Sequence, residues 1–256
     1  MTLTEQEVAA LDPYQLMGVL GKRVIHPGGR RSTNELFELA RIAPEHRVLE
    51  VGCGVGTTAI EIARRFRADV LAVDVDPRMV EATERNVAAA GLSDKVEVAQ
   101  ADIRQLPFAD EDFDRVVIEA VTMFVERERA AAECVRVCRR GGRVVDHEFI
   151  WRKPPPAEAR QVFMGEVCPG IDFDSPADWR DLYESAGLRD VELVTGPFNM
   201  MTPAGFIRDE GLNTFRVMAT ALSRAAYIRK LAWLMRRMVR TMTYLGYVVV
   251  AGERPA

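Results

Sequence analysis

The chain has 256 residues, 48% hydrophobic and 28% charged, a globular balance that excludes a disordered segment and can bury a core without metal or disulfide support. Its 34 basic and 38 acidic residues give a net charge of −4, which leaves the whole molecule no electrostatic footprint for nucleic acid. Four cysteines without a C-x-x-C pair, and three histidines without ordinary zinc spacing, lead us to expect reduced thiols, no metal and a cytoplasmic location.

The chain opens on MTLTEQEVAALDPYQL, which lacks the cationic and apolar regions of a leader, and no uncharged apolar run reaches the ~20 residues of a membrane span. His26-Pro27-Gly28-Gly29 is the first strong punctuation, and a helix is predicted over residues 33–41. Residues 1–45 are assigned to an N-terminal helical segment and 46–198 to an α/β core. From about Arg47 to Phe149, short β-branched runs alternate with helical patterns, the order that signals βαβ units and a parallel sheet. Residues 47–51, 70–73, 96–99, 115–118 and 143–149 read as strands. Helices are predicted over residues 57–66, from Asp76-Pro77 to a stop at Gly91, and over 127–138 ahead of Arg139-Arg140-Gly141-Gly142.

Beyond Pro154-Pro155-Pro156, Ser175-Pro176-Ala177-Asp178 caps a helix that runs to Gly187. Residues 191–195 and 247–251 (YVVVA) supply the last strands. Between them Phe215, Met218, Leu222, Ala225, Ile228, Leu231, Met235, Met238 and Met242 recur at three and four residues, an amphipathic stripe expected to lie on the sheet. Residues 199–243 are therefore read as a helical cap and 244–256 as the final strand of the core. Gly211 to Gly252 contains no Asp or Glu but holds Arg216, Arg224, Arg229, Lys230, Arg236, Arg237 and Arg240. A solvated outer face, an anionic substrate and an interfacial helix on acidic lipid account for that excess, weighed in that order.

The first strand runs into Glu50-Val51-Gly52-Cys53-Gly54-Val55-Gly56-Thr57-Thr58, and Asp74 ends the second. Glycines after a first parallel strand let a ligand approach the backbone, and a carboxylate at the next strand tip can hold ribose hydroxyls. A dinucleotide fingerprint would require Gly or Ala at position 57, where Thr57 stands, which argues against NAD. An acidic residue two before the first glycine, followed by G-x-G-x-G, resembles the first motif of the class I S-adenosylmethionine (SAM)-dependent methyltransferases. Further matches follow in order: Asp74 in VLAVDVD, Asp102-Ile103, Leu106-Pro107-Phe108, Asp112-Phe113-Asp114, Glu119-Ala120, and Arg139-Arg140-Gly141-Gly142-Arg143, with Arg140 where the family often has Pro.

The resemblance implies a doubly wound, Rossmann-like methyltransferase sheet, SAM as cofactor and S-adenosylhomocysteine (SAH) as product. It also implies that Glu50, Gly52, Cys53, Gly54 and Gly56 surround the cofactor, with Asp74 and Val75 on the ribose side. Asp102 and Ile103 would then meet the adenine edge, and Glu119 and Ala120 the methionine moiety. Glu50 suits a sulfonium and an α-amino group because both are cationic. Its other account is a structural carboxylate bound by loop N–H groups.

Methyl transfer from a sulfonium is an in-line displacement with a neutral leaving group, so the protein must align and desolvate the acceptor. A general base is needed only where the acceptor must lose a proton. The candidates are His147, alternating with Asp146 and Glu148 so that one parity should face the site, Tyr14, and His26, whose competing account is a Pro-Gly turn. Cys134 and Cys138 are read as packing, and Cys168 as lining the acceptor entrance. Methionines crowd the second half, which suits an adaptable apolar pocket or a plain core. The fourth strand ends Glu119-Ala120-Val121-Thr122, without the Asn-Pro-Pro-aromatic signature of amino-directed nucleic-acid methylases.

The expected function is SAM-dependent methylation of a small, apolar or soft acceptor at O, N or S. The alternatives are a lipid, quinone or sterol methyltransferase at a membrane surface and a non-catalytic SAM-binding regulator. The expected partners are the small-molecule acceptor and an anionic membrane at the periphery, not nucleic acid, for a monomer or homodimer.

Overall fold

The valine-rich runs pair into a single sheet. In the computed structural model, which describes residues 3–256, its strands are β1 (Arg47–Val51), β2 (Asp69–Asp74), β3 (Val96–Gln100), β4 (Phe113–Glu119), β5 (Cys138–Trp151), β6 (Arg189–Pro197) and β7 (Leu245–Glu253). Their order is β3-β2-β1-β4-β5-β7-β6. The first five run parallel, and β7 lies antiparallel between β5 and β6. The chain reverses its direction of travel across the sheet between β1 and β4, which opens a crevice at their carboxyl ends.

Helices cover both faces: α1 (Glu5–Ala10), α2 (Pro13–Val19), α3 (Arg30–Ala40), α4 (Thr57–Phe66), α5 (Pro77–Ala90), α6 (Arg127–Val137), α7 (Ala157–Arg160), α8 (Pro176–Ser185), α9 (Pro203–Glu210), α10 (Asn213–Leu222) and α11 (Ala225–Thr241). Along β1, Leu49 and Val51 enter one apolar cluster and Val48 the other, so both faces of the strand are buried. Reciprocal capping boxes at Thr4, Asp12 and Ser175 fix where α1, α2 and α8 begin. Asp76 caps α5, and Gly91 ends it in the left-handed conformation.

Several expected boundaries move, each for a tertiary reason. The helix expected over 33–41 starts at Arg30, because the Asp209 carboxylate of α9 accepts the Arg30 N–H at 3.2 Å and caps it from outside. The glycine pair after α6 is no helix terminus. Gly141 N–H donates to the Arg254 carbonyl and Arg254 N–H to that of Gly142, so the chain end draws this stretch into β5. A π-helical turn over Gln161–Val167 has no counterpart in the periodicity.

The single amphipathic stripe of the cap is also corrected. Ser223 and Arg224 separate α10 from α11 and reset the phase, which leaves Phe215, Met218, Leu222 and Ile228 exposed. The buried face of α11 is Ala226, Tyr227, Leu234, Met238 and Thr241, so Met238 of the expected stripe is buried while its Leu231 and Met242 pack only partly against the core. Among the described residues no helix is long and apolar enough to cross a membrane. All four cysteines are buried and unpaired, and burial pushes the thiols of Cys53, Cys138 and Cys168 up to about 12, so they pack as small apolar groups.

Candidate functional site

The crevice at the switch point is a cavity of about 670 Å³, a size suited to a cofactor. Gly52, Asp74, Val75, Asp102, Ile103 and Glu119 line it, together with Tyr14 from α2 and Phe124 from the turn between β4 and α6. Gly52 sits at φ +76°, and a Cβ there would strike the Val121 side chain, so the backbone reaches the cavity only as glycine. The Asp74 carboxylate accepts the N–H groups of Gly54 at 2.9 Å and Asp76 at 3.0 Å, which holds the glycine loop against the tip of β2. The Asp102 carboxylate accepts from the Arg104 guanidinium at 2.6 and 3.0 Å, which lowers its pKa.

Four of the expected cofactor residues, Glu50, Cys53, Gly54 and Gly56, do not line the cavity. Glu50 is 3% exposed, and its Oε2 has no hydrogen-bond partner among the described residues. Burial first, then the charge of Glu119, pushes its carboxyl well above the usual range. Burial thus favours its protonated form, and a positive group placed beside it would favour the charged one.

At the tip of β4, Ala120 takes φ +61°, a conformation that a residue with a Cβ rarely adopts, while its N–H donates to the His147 carbonyl at 2.8 Å. Next to it Glu119 pairs in register with His147 of β5. Its Oε1 accepts from Thr33 Oγ1 at 2.9 Å and its Oε2 from Thr58 Oγ1 at 2.8 Å. His26 Nε2 lies 3.4 Å from Glu119 Oε1, and His147 Nδ1 lies 3.8 Å from it. The two imidazoles meet edge to face with centroids 5.0 Å apart.

The alternation around His147 does not open one parity to the cavity. Asp146, His147 and Glu148 are all fully buried, and none lines the cavity. Asp146 accepts from the Tyr183 hydroxyl at 2.7 Å, and Glu148 accepts from the N–H groups of Val121 and Thr122 at 2.9 and 2.6 Å. Burial raises both carboxyls, Asp146 to about 6. Burial and then His26 hold the His147 imidazole neutral, so it has no surface on which to meet an acceptor.

Tyr14, from α2, lines the large cavity with its ring edge-on to Phe124 at 5.4 Å. Burial, then Cys168 and Glu148, raises its phenol well above the usual range, which makes it a donor at neutral pH and not a base. Tyr14, Pro13 and Cys168 also belong to a second, smaller chamber of about 30 Å³. Phe149, Phe163, Phe198, Met200 and Met238 complete most of its wall, and no charged side chain lines it. The sequence reading missed Phe149, Phe163 and Phe198, which come from β5, the π-helical turn and the segment after β6 and share no periodicity. The signals for this chamber were the density of methionine in the second half and the reading of Cys168 at the acceptor entrance, which does line it.

A family model described as a methyltransferase domain matches residues 48–142. The uncharacterized methyltransferase YodH of Bacillus subtilis (strain 168) is 31% identical over 188 residues, covering 72% of this chain and 76% of that protein. Methyltransferase GfsG of Streptomyces halstedii is 33% identical over 169 residues, 65% of this chain and 61% of that one. Among solved structures, phosphoethanolamine N-methyltransferase 2 of Haemonchus contortus in complex with SAM superposes with a TM-score of 0.75 at 17% identity, covering 99% of this chain and 58% of that one. The superposition extends the likeness in fold across the cap.

Proposed function

The chain belongs to the class I SAM-dependent methyltransferases, and on that premise we propose that its acceptor is a small, largely apolar or soft molecule methylated at oxygen, nitrogen or sulfur. SAM is the cofactor and SAH the product. In this reading the ribose hydroxyls meet Asp74 beside Val75, the adenine edge meets Asp102 and Ile103, and the methionine moiety lies between Gly52 and Glu119. Glu50 acts from beneath the loop on the cationic groups without touching solvent.

The apolar chamber that shares Pro13, Tyr14 and Cys168 with the cofactor cleft carries the reading. Its walls offer dispersion contacts and almost no hydrogen bonds, so an acceptor entering there leaves water and presents its nucleophile to the sulfonium in a dry site. About 30 Å³ admits little more than one or two water-sized groups, so a larger acceptor requires the methionine walls to repack. The buried Tyr14 hydroxyl, which has no partner among the described residues, is placed to donate to a polar atom of that acceptor.

The test is a melting-temperature titration with SAM, SAH and NAD, followed by an acceptor screen reading SAH release. Saturable shifts with the first two ligands and turnover confined to apolar phenols, thiols and amines are expected. Turnover that favours highly charged acceptors instead would overturn the reading.

One observation favours a second reading, that the acceptor is met at a membrane surface. Leu212 is 85%, Phe215 74% and Leu222 65% exposed, close in sequence to Arg216 and Arg224, with no acid in this part of the cap. Apolar side chains flanked by cations suit an anionic bilayer. Co-sedimentation with phosphatidylglycerol vesicles that fails for phosphatidylcholine, and that Phe215→Ser weakens, is the expected signature. Equal indifference to both vesicles removes it.

A further inference from the structure

We propose that His26, Glu119 and His147 bind one divalent transition-metal ion of the zinc type in the wall of the cofactor cleft, with an open position that takes the oxygen or sulfur of the acceptor. The three ligand atoms, His26 Nε2, Glu119 Oε1 and His147 Nδ1, all lie within 4.8 Å of one another. Two ligands each about 2.1 Å from a tetrahedral ion stand about 3.4 Å apart. The observed separations from Glu119 Oε1 are 3.4 Å to His26 and 3.8 Å to His147. An imidazole donating to a carboxylate would close to about 2.8 Å, so the wider separation from His147 fits two ligands of a common ion better than a hydrogen bond.

His147 supplies an independent observation. It is fully buried, and neither ring nitrogen meets a partner in good hydrogen-bond geometry among the described residues, although the Pro27 backbone approaches the ring. A buried polar group left bare is costly, and an ion on Nδ1 would satisfy the nitrogen that faces Glu119. Around the three ligands stand groups that fix them. Thr33 and Thr58 hold the two oxygens of Glu119, Thr33 Oγ1 also lies 3.2 Å from His26 Nε2, a contact the ion would replace, and Ser32 Oγ lies 3.5 Å from His26 Nδ1. The His26 loop is itself pinned, since a Cβ at Gly28 would strike the Tyr247 ring, against which His147 also packs.

Two imidazoles and one carboxylate with a position left open form the donor set of a catalytic zinc-type centre. Magnesium and calcium select oxygen ligands instead. Glu119 lines the cofactor cavity, so the open position is reached from the cleft. An acceptor hydroxyl or thiol bound there gives its proton to water. Its lone pair then forms the bond to the methyl carbon as the methyl–sulfonium bond breaks, and that electron pair returns to the sulfur of SAH.

The role given to the ion rests on the proposed methyl transfer in the cleft that Glu119 lines, but its binding is measured without cofactor. Full-length protein stripped with a chelator is titrated with Zn²⁺ against a chromophoric competitor, and with Co²⁺ for the visible bands of a four-coordinate site. One equivalent of each ion is expected, with Zn²⁺ bound more tightly than Co²⁺. His26→Gln is expected to weaken Zn²⁺ binding at least about tenfold and His147→Gln as much, whereas His46→Gln should bind as the parent does. His147 is in the core and its variant can unfold. His26→Gln, with SAH affinity by calorimetry as the check on folding, then decides. Absence of uptake by the parent, or uptake undiminished in His26→Gln, overturns the ion site. Loss of SAH binding by the stripped parent would instead overturn the reading of the cofactor cleft.

Discussion

Glu210, the last residue of α9, lies 3.3 Å from the Lys22 ammonium, and both side chains are shut off from solvent. The same carboxylate oxygen accepts the N–H groups of Arg23 and Val24, and Oε2 accepts from Asn213. Burial alone would raise the Glu210 carboxyl, but Asn213, these backbone donors and Lys22 bring it below the usual range. The pair latches the cap onto the N-terminal segment that carries Tyr14.

Breaking this latch from one side leaves a buried cation with few partners. Glu210→Ala is expected to lower unfolding stability by about 3–5 kcal/mol, whereas the double change Lys22→Met with Glu210→Leu should cost much less because it buries no charge. Urea unfolding of the three proteins checks this. A single variant as stable as the parent would show that the pair contributes nothing to holding the cap.

The two acidic strand tips differ in what they have to offer a ligand. Asp102 is already engaged by Arg104, while Asp74 is held only by loop N–H groups and keeps accepting capacity toward the cleft. Asp74→Ala is therefore expected to weaken SAH by about 10- to 100-fold, the scale of one or two hydrogen bonds to a charged group. Asp102→Ala should weaken it less. Calorimetry decides, and equal losses would mean that the ribose is not on Asp74.

The βαβ run was legible because its information is local. Val48, Leu49 and Val51 alternate between two buried faces, and Gly52, Asp74 and Asp102 fall at successive strand tips, where chain order places them side by side. What escaped is held by tertiary contact. The cap stripe continued on paper through Ser223 and Arg224, but the helix broke there and Phe215 turned outward. His26 and His147 lie far apart in the chain and are brought onto Glu119 only by the docking of α3 on β5 and β7. The Asp209 cap on Arg30 leaves no mark in the sequence around either residue.

The chamber makes a prediction that separates acceptor from cofactor. Met200 is buried in its wall but does not line the cofactor cavity. Met200→Trp should fill what little volume there is and lower kcat/KM for the best acceptor by at least about tenfold, leaving SAH affinity within about twofold. A variant that loses SAH binding as well would place Met200 in support of the cleft and would count against the chamber as the acceptor site.

Glu50 is expected to link cofactor affinity to pH. In the unfolded chain its carboxyl ionises at the ordinary value, while in the folded protein without cofactor it keeps its proton to a higher pH. Between those two values the folded state binds one more proton than the unfolded state, so the stability of the cofactor-free protein falls as pH rises. Asp146, raised to about 6, and Glu148 act in the same direction. A cationic sulfonium and α-amino group placed over Glu50 favour its charged form, so binding SAM expels the proton and affinity climbs with pH until the carboxyl is ionised beforehand. Glu50→Gln removes the titrating group. The expected result is a cofactor-free protein more stable at neutral pH than the parent, with weaker SAM binding and an affinity that loses most of its slope. Calorimetry in two buffers of different ionisation enthalpy reads the proton directly. Release by the parent that disappears in Glu50→Gln is the expected pattern. Equal release by both proteins would move the linked proton to another group and leave Glu50 as a structural carboxyl beneath the loop.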